Sequence, residues 1–162
     1  MGLVYADVQL SKGDDLALVR RKLMDPLQVR TMTLSVNADS GACMLCINEQ
    51  VRAQLDLAIL DQQVAELADG SVRDVPIAGP VEVRFANRST NCNAMVLPGN
   101  SQVLLGAIPM EDMDLVILPR EKRLAVNPAH PIVPSKPVKT ARMDKSGAED
   151  AVKGFSQSHC SS

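Results

Sequence analysis

Asp39-Ser40-Gly41-Ala42, running on into Cys43-Met44-Leu45-Cys46-Ile47, is the stretch on which the reading of this chain turns. It follows an extended, β-rich run at residues 29–36, and Ala42 opens the longest uninterrupted apolar run in the sequence, six residues ending at Ile47. Taken alone, Asp, Ser and Gly in a row read as an ordinary turn between two strands. Their order adds a chemical specification: a carboxylate at a loop tip, a small hydroxyl residue beside it, and a glycine whose missing side chain lets backbone N–H groups reach the carboxylate.

Outward from this loop most segments have the period of strands. Residues 3–10, 81–85, 94–97 and 115–118 are short β-rich runs between turn residues. Two segments have a helical period instead. Residues 14–23 open on a cap candidate, Asp14, and set Leu16, Val19 and Leu23 on one face; residues 48–57 open on Asn48 and gather Val51 and Leu55. Leu67-Ala68-Asp69-Gly70-Ser71 places Asp-Gly between apolar runs, a strong short-range hairpin signal. Further on, Val103-Leu104-Leu105-Gly106 ends a strand-like run with two apolar residues and a glycine. Composition changes near Pro134, so the expected domain spans residues 1–134, and residues 135–162 are expected to be a disordered tail with a short helical stretch at 148–153.

The 162 residues are 46% hydrophobic and 22% charged, with a formal net charge of −2, which suits one domain with an ordinary core. Only Tyr5, Phe85 and Phe155 are aromatic and Trp is absent, so the core must come from Val, Leu, Ile, Met and Ala. Charges of both signs interleave, which leaves no basic, aromatic-studded face for nucleic acid. The six-residue apolar run is far short of the ~20 that cross a bilayer, and no basic cluster leads into an apolar stretch near residue 1. The expectation is a cytosolic protein with neither nucleic acid nor membrane as partner. Its four cysteines, Cys43, Cys46, Cys92 and Cys160, are expected as reduced thiols.

Asp39-Ser40-Gly41-Ala42, Leu67-Ala68-Asp69-Gly70-Ser71, Val96-Leu97-Pro98-Gly99 and Leu104-Leu105-Gly106-Ala107-Ile108-Pro109 succeed one another in an order and spacing that resembles the retropepsin-like aspartic proteases, in particular their small single-domain bacterial members. The resemblance covers residues 1–139. It implies a mainly β fold, a closed barrel with one or two short helices, one of them after the last motif at residues 110–114, and half an active site per subunit. It implies Asp39 as the catalytic acid, Ser40, Gly41 and Ala42 supporting its loop, Ala68, Asp69 and Gly70 as a flap over bound peptide, and Leu104, Leu105 and Gly106 beneath the loop. No cofactor or metal is implied. The sequence departs from the family at Asn37-Ala38, where two apolar residues usually precede the acid. It reads as if a Leu-Val pair were missing, which keeps the alternation of faces but shortens the strand by about 6–7 Å and pulls on the loop.

Hydrolysis of this kind uses two carboxylates sharing one proton, one acting as base on water and the other as acid toward the scissile carbonyl. The chain has one Asp-Ser-Gly, so the implied enzyme is a symmetric homodimer acting on a peptide or protein substrate, with Asp39 of each copy meeting on the two-fold axis. The N-terminal strand and residues 123–126 are candidate edges for an intersubunit sheet. A dimeric peptide-binding module with a distorted dyad, and an unrelated ligand-binding β-barrel, stand as alternatives.

Other features read as structural. Cys43-Met44-Leu45-Cys46 has C-x-x-C spacing but no second ligand pair in the domain, so two buried thiols are the plainer reading. His130 reads as a surface histidine and the eight methionines as gap-fillers. Asp14-Asp15 and Glu111-Asp112 suit helix starts, and Arg20-Arg21-Lys22 a solvated helix face. Asp112 and Asp114 lack an adjoining Ser/Thr-Gly and are not a second catalytic acid.

Overall fold

In a computed structural model, residues 3–136 are described. The order is β1 (Tyr5–Lys12), α1 (Gly13–Arg20), a 3₁₀ turn (Pro26–Gln28), β2 (Thr31–Ala38), β3 (Leu45–Asn48), α2 (Glu49–Gln54), β4 (Ala58–Glu66), β5 (Val72–Phe85), β6 (Arg88–Leu97), β7 (Leu104–Leu105), α3 (Ala107–Asp112), β8 (Leu115–Leu118) and β9 (Arg123–Val126). The protein is mainly β, with three short α-helices where one or two were expected. The tail beyond residue 136, including the helical stretch expected at 148–153, lies outside the described residues.

Seven strands form one sheet in the order β1-β2-β7-β3-β6-β5-β4, and β8 pairs with β9 apart from it. β1 is also bonded to β5, with Gln9 opposite Arg84 and Lys12 opposite Val81, while its other side pairs with β2 from Tyr5 to Ser11. Along residues 9–12 the N-terminal strand is therefore paired on both sides, and along residues 5–8 it is paired in the sheet with β2 alone. β9 has only β8 as a neighbour. The core is aliphatic: Val8, Leu10, Val36, Leu45, Ile47, Leu55, Leu57, Val81, Val83, Leu105 and Met113 are buried, and Phe85 only packs against them from the side. Interior-facing positions alternate along β1, β5 and β6, as a sheet with one covered face requires.

Local chemistry explains most boundaries. Asn48 caps α2, its side-chain oxygen accepting the Val51 N–H at 3.0 Å. α1 starts one residue before Asp14, so Asp14 is not its cap, and Asp15 lies buried with its carboxylate accepting the Arg30 N–H at 2.9 Å. α1 also ends at Arg20, and Leu23, expected on the buried face, is exposed. β5 is far longer than the run at residues 81–85, because the ladder passes Pro76, Gly79 and Pro80 with a bulge between Ala78 and Val81.

Candidate active site

β7 lies between β2 and β3, parallel to the first and antiparallel to the second. Asn37 sits opposite Leu104, Ala38 opposite Leu105, and Cys46 opposite Leu104. The chain that leaves β2 must cross the end of β7 to reach β3, and the crossing is the loop Asp39-Ser40-Gly41-Ala42-Cys43-Met44. Beyond Leu105 the backbone runs so close under this loop that a Cβ on Gly106 would stand 2.5 Å from the Cys43 carbonyl carbon and 2.6 Å from its oxygen, and would also strike the Met44 oxygen. Only glycine fits there.

Backbone bonds fasten the loop from three sides. Asp39 N–H donates to the Leu105 carbonyl at 3.0 Å, continuing the β2–β7 ladder by one residue. Ala42 N–H donates to the Asp39 carbonyl at 3.1 Å, which closes the turn. The first two N–H groups of α3, on Ala107 and Ile108, have no partner within their own helix and donate to the carbonyls of Ala42 and Cys43 at 2.8 and 2.9 Å. β2 itself runs unbroken to Ala38, with Ala38 N–H on the Val4 carbonyl at 2.7 Å. The ladder between β2 and β7 thus reaches Asp39 in register.

The Asp39 carboxylate is half-buried at the loop tip, and its Oδ1 accepts the Gly41 N–H at 2.9 Å. A Cβ on Gly41 would stand 3.1 Å from that oxygen, so the missing side chain leaves room for the bond. Ser40 is exposed, with no hydrogen bond from its hydroxyl among the described residues. Asp39 opens on a groove of about 350 Å³. Ala42, Cys43, Met44, Cys46 and Leu104 line its floor, Met95 and Leu97 of β6 one wall, and Gln63 to Ala68 of the β4–β5 hairpin the other. Leu105 is buried below.

The hairpin has the geometry its sequence announced. Leu67 N–H donates to the Ser71 carbonyl at 2.8 Å and Gly70 N–H to the Leu67 carbonyl at 2.9 Å, with Gly70 in the left-handed region at φ 84°. Asp69 Oδ1 accepts both the Ser71 N–H (2.9 Å) and its hydroxyl (2.6 Å), and these bonds hold the Asp69 carboxyl below its ordinary range. Ala68 lines the groove, whereas Asp69 and Gly70 form the tip and do not. β4 is the outermost strand of the sheet and buries only Ala65.

Cys46, Met95 and Leu97 line the groove without having been singled out as site residues. Val96-Leu97-Pro98-Gly99 was a signal for the neighbourhood, not for which side chains turn inward. Burial, and then the nearby charge of Asp39, pushes the Cys46 thiol up to about 11, so it stays protonated and is no nucleophile at neutral pH. Cys46 and Cys92 are free thiols, as expected, and Cys43 lies on the half-exposed loop. No cluster of three or more His, Cys, Asp or Glu among the described residues has the arrangement of a metal site.

Asp112 and Asp114 lie away from the groove and are engaged elsewhere. Asp112 accepts from the Thr90 hydroxyl and pairs with Lys136 at 2.6 Å. Asp114 accepts the Ser135 N–H (3.0 Å) and Asn127 (3.0 Å) and bonds His130 Nδ1 (2.7 Å); these partners, Ser135 foremost, bring its carboxyl down to about 2. His130 is thus tied to Asp114. No family model matches the chain, and a search of curated proteins finds no match either.

Proposed function

We propose that this chain is a retropepsin-like aspartic endopeptidase whose dyad forms from Asp39 of two identical copies. The observation that carries the reading is the crossed loop over β7, with Gly41 N–H on the Asp39 carboxylate and Gly106 backed against Cys43. It presents an acid rigidly at the floor of a groove while a hairpin overhangs it. The circuit of pairings β1-β2-β7-β3-β6-β5 and back to β1 supports the finer reading of the sheet as a closed barrel, with β4 as a strand beyond it.

One carboxylate cannot serve as acid and base in the same step. A second one within about 3 Å makes joint ionisation costly, so a single proton is shared between them. The ionised partner takes a proton from water, which attacks the scissile carbonyl carbon, while the protonated partner donates to the carbonyl oxygen; the resulting diol collapses as the leaving nitrogen takes up a proton. Gly41 N–H fixes the orientation of the Asp39 carboxylate. The exposed Ser40 hydroxyl is free to bond the partner's loop. The edge of β4 offers main-chain donors and acceptors to an extended peptide.

The test compares wild type and Asp39→Asn on a peptide library between about pH 4 and 7, the range in which such a dyad holds one proton. Cleavage by wild type only, with activity lost on mixing in Asn-bearing subunits, is the expected result. A folded wild-type dimer that binds peptides without cutting them turns the reading to a peptide-binding module, and equal cutting by both proteins removes Asp39 from the chemistry.

A further inference from the structure

The loop between α1 and β2 carries side chains that peptide hydrolysis at Asp39 does not use, and none of them lines the Asp39 groove. After Arg20 the chain reverses through Lys22, which has a left-handed backbone (φ 61°). Lys22 N–H donates to the Val19 carbonyl at 3.0 Å and Leu23 N–H to the Leu18 carbonyl at 2.8 Å, a pairing that stops a helix abruptly. Leu23 is thereby 72% exposed, and Leu27, in the 3₁₀ turn behind Pro26, is 92% exposed. Beside them stand Arg20, Arg21 and Lys22, all exposed and none in an ion pair among the described residues. The one acid in residues 18–30 is Asp25, and its Oδ1 is taken up by the Leu27 N–H at 2.9 Å.

We propose that this loop is a membrane-surface contact, in which Leu23 and Leu27 enter the headgroup boundary of an anionic bilayer and Arg20, Arg21 and Lys22 meet its phosphates. Charge selects the occupant. Three unpaired cations on a chain of net charge −2 attract an anionic surface, whereas a second copy on the same face would set three cations against three. Shape selects it further: Leu27 projects at 92% exposure, and Leu23 stands at the wall of a shallow depression, lined also by Val19, Lys22, Met24, Asp25 and Gln28, that is open to solvent. The two hydrogen bonds at Lys22 and the ring of Pro26 hold the leucines outward, so little ordering is needed on contact. No helix among the described residues is long and apolar enough to cross a membrane. The contact is therefore peripheral and reversible, with apolar and electrostatic contributions both required. It revises the expectation that Arg20-Arg21-Lys22 is only a solvated face and that no membrane takes part.

Co-sedimentation of the full chain with phosphatidylcholine vesicles, with and without phosphatidylserine, tests this. Wild type pellets with the anionic vesicles only, and raised salt releases it. Replacing Arg20, Arg21 and Lys22 together by Gln lowers partitioning on the order of a hundredfold, and Leu27→Ser on the order of tenfold; all four positions are exposed, and unchanged circular dichroism verifies folding. Failure of wild type to pellet overturns the proposal. So does binding that ignores Leu27→Ser, a shift of the lipid-free oligomeric state by these variants, or tighter binding of an acidic leucine-containing peptide than of vesicles.

Discussion

Replacing Gly106 with alanine probes the crossing of loop and strand directly. Gly106 has φ −83°, an ordinary value, so alanine introduces no backbone strain and the whole effect is steric. The new methyl meets backbone atoms of Cys43 and Met44, at 2.5 and 2.6 Å for Cys43, and backbone cannot rotate away as a flexible side chain does. The loop must lift. Lifting it breaks the bonds from Ala107 and Ile108 to the loop carbonyls, at about 1 kcal/mol each, and overpacking adds about 1–3 kcal/mol. Alanine stiffens the unfolded chain and returns about 0.4–1 kcal/mol. The net loss is about 2–5 kcal/mol, a large share of the ~5–15 kcal/mol that hold a domain together. Urea unfolding followed by circular dichroism reads this as a lower midpoint at unchanged slope. Gly41→Ala is the reference variant, because that position is exposed and its Cβ meets only the Asp39 carboxylate at 3.1 Å; its loss stays under about 1 kcal/mol. A Gly106→Ala midpoint equal to that of Gly41→Ala refutes the close crossing and, with it, the rigid seating of Asp39.

Further expectations concern single sites. Lys22→Gly relieves a left-handed lysine and raises the thermal midpoint, by at most about 1 kcal/mol of stability. Asn48→Ala removes the cap of α2 and the bond from its Nδ2 to the Ser101 carbonyl (3.0 Å), at about 1–2 kcal/mol in chemical denaturation. Asp114 has its carboxyl lowered from 3.8 to about 2, so its contribution is complete above about pH 4 and is lost as pH falls toward 2. Asp114→Ala flattens the acid limb of a stability-versus-pH curve over that window, and an unchanged limb contradicts its anchoring of Asn127, His130 and Ser135.

Elements that announce themselves locally were legible in the sequence. β8 and β9 have the bounds their apolar runs suggest, Asn48 caps where a cap was expected, and Asp69-Gly70 makes its hairpin. What could not be read depends on partners distant in sequence. The first half of β5 contains Pro76, Gly79 and Pro80, which signal turns locally, yet the ladders to β4 and β6 hold it extended. α1 stops at Arg20 because Lys22 takes a conformation usually left to glycine, so the usual stop signal is missing. The second partner of β1 is β5, some seventy residues on, and no local pattern marks it. The same division holds at the groove. Asp39, Gly41 and Gly106 follow from the shape of a loop, whereas Cys46 and Met95 line it through the register of β3 with β6, which sets Cys46 opposite Met95.

The bonds from Ala107 and Ile108 make the acid-bearing turn and the start of α3 one mechanical piece, so neither can loosen while the other stays put. Amide exchange at those two positions should slow to the rate at which the whole body opens, while the overhanging arm, with little of its outer strand covered, exchanges freely. Such exchange rates would divide motion between the two sides of the cleft, with a roof that breathes above a floor that keeps its shape.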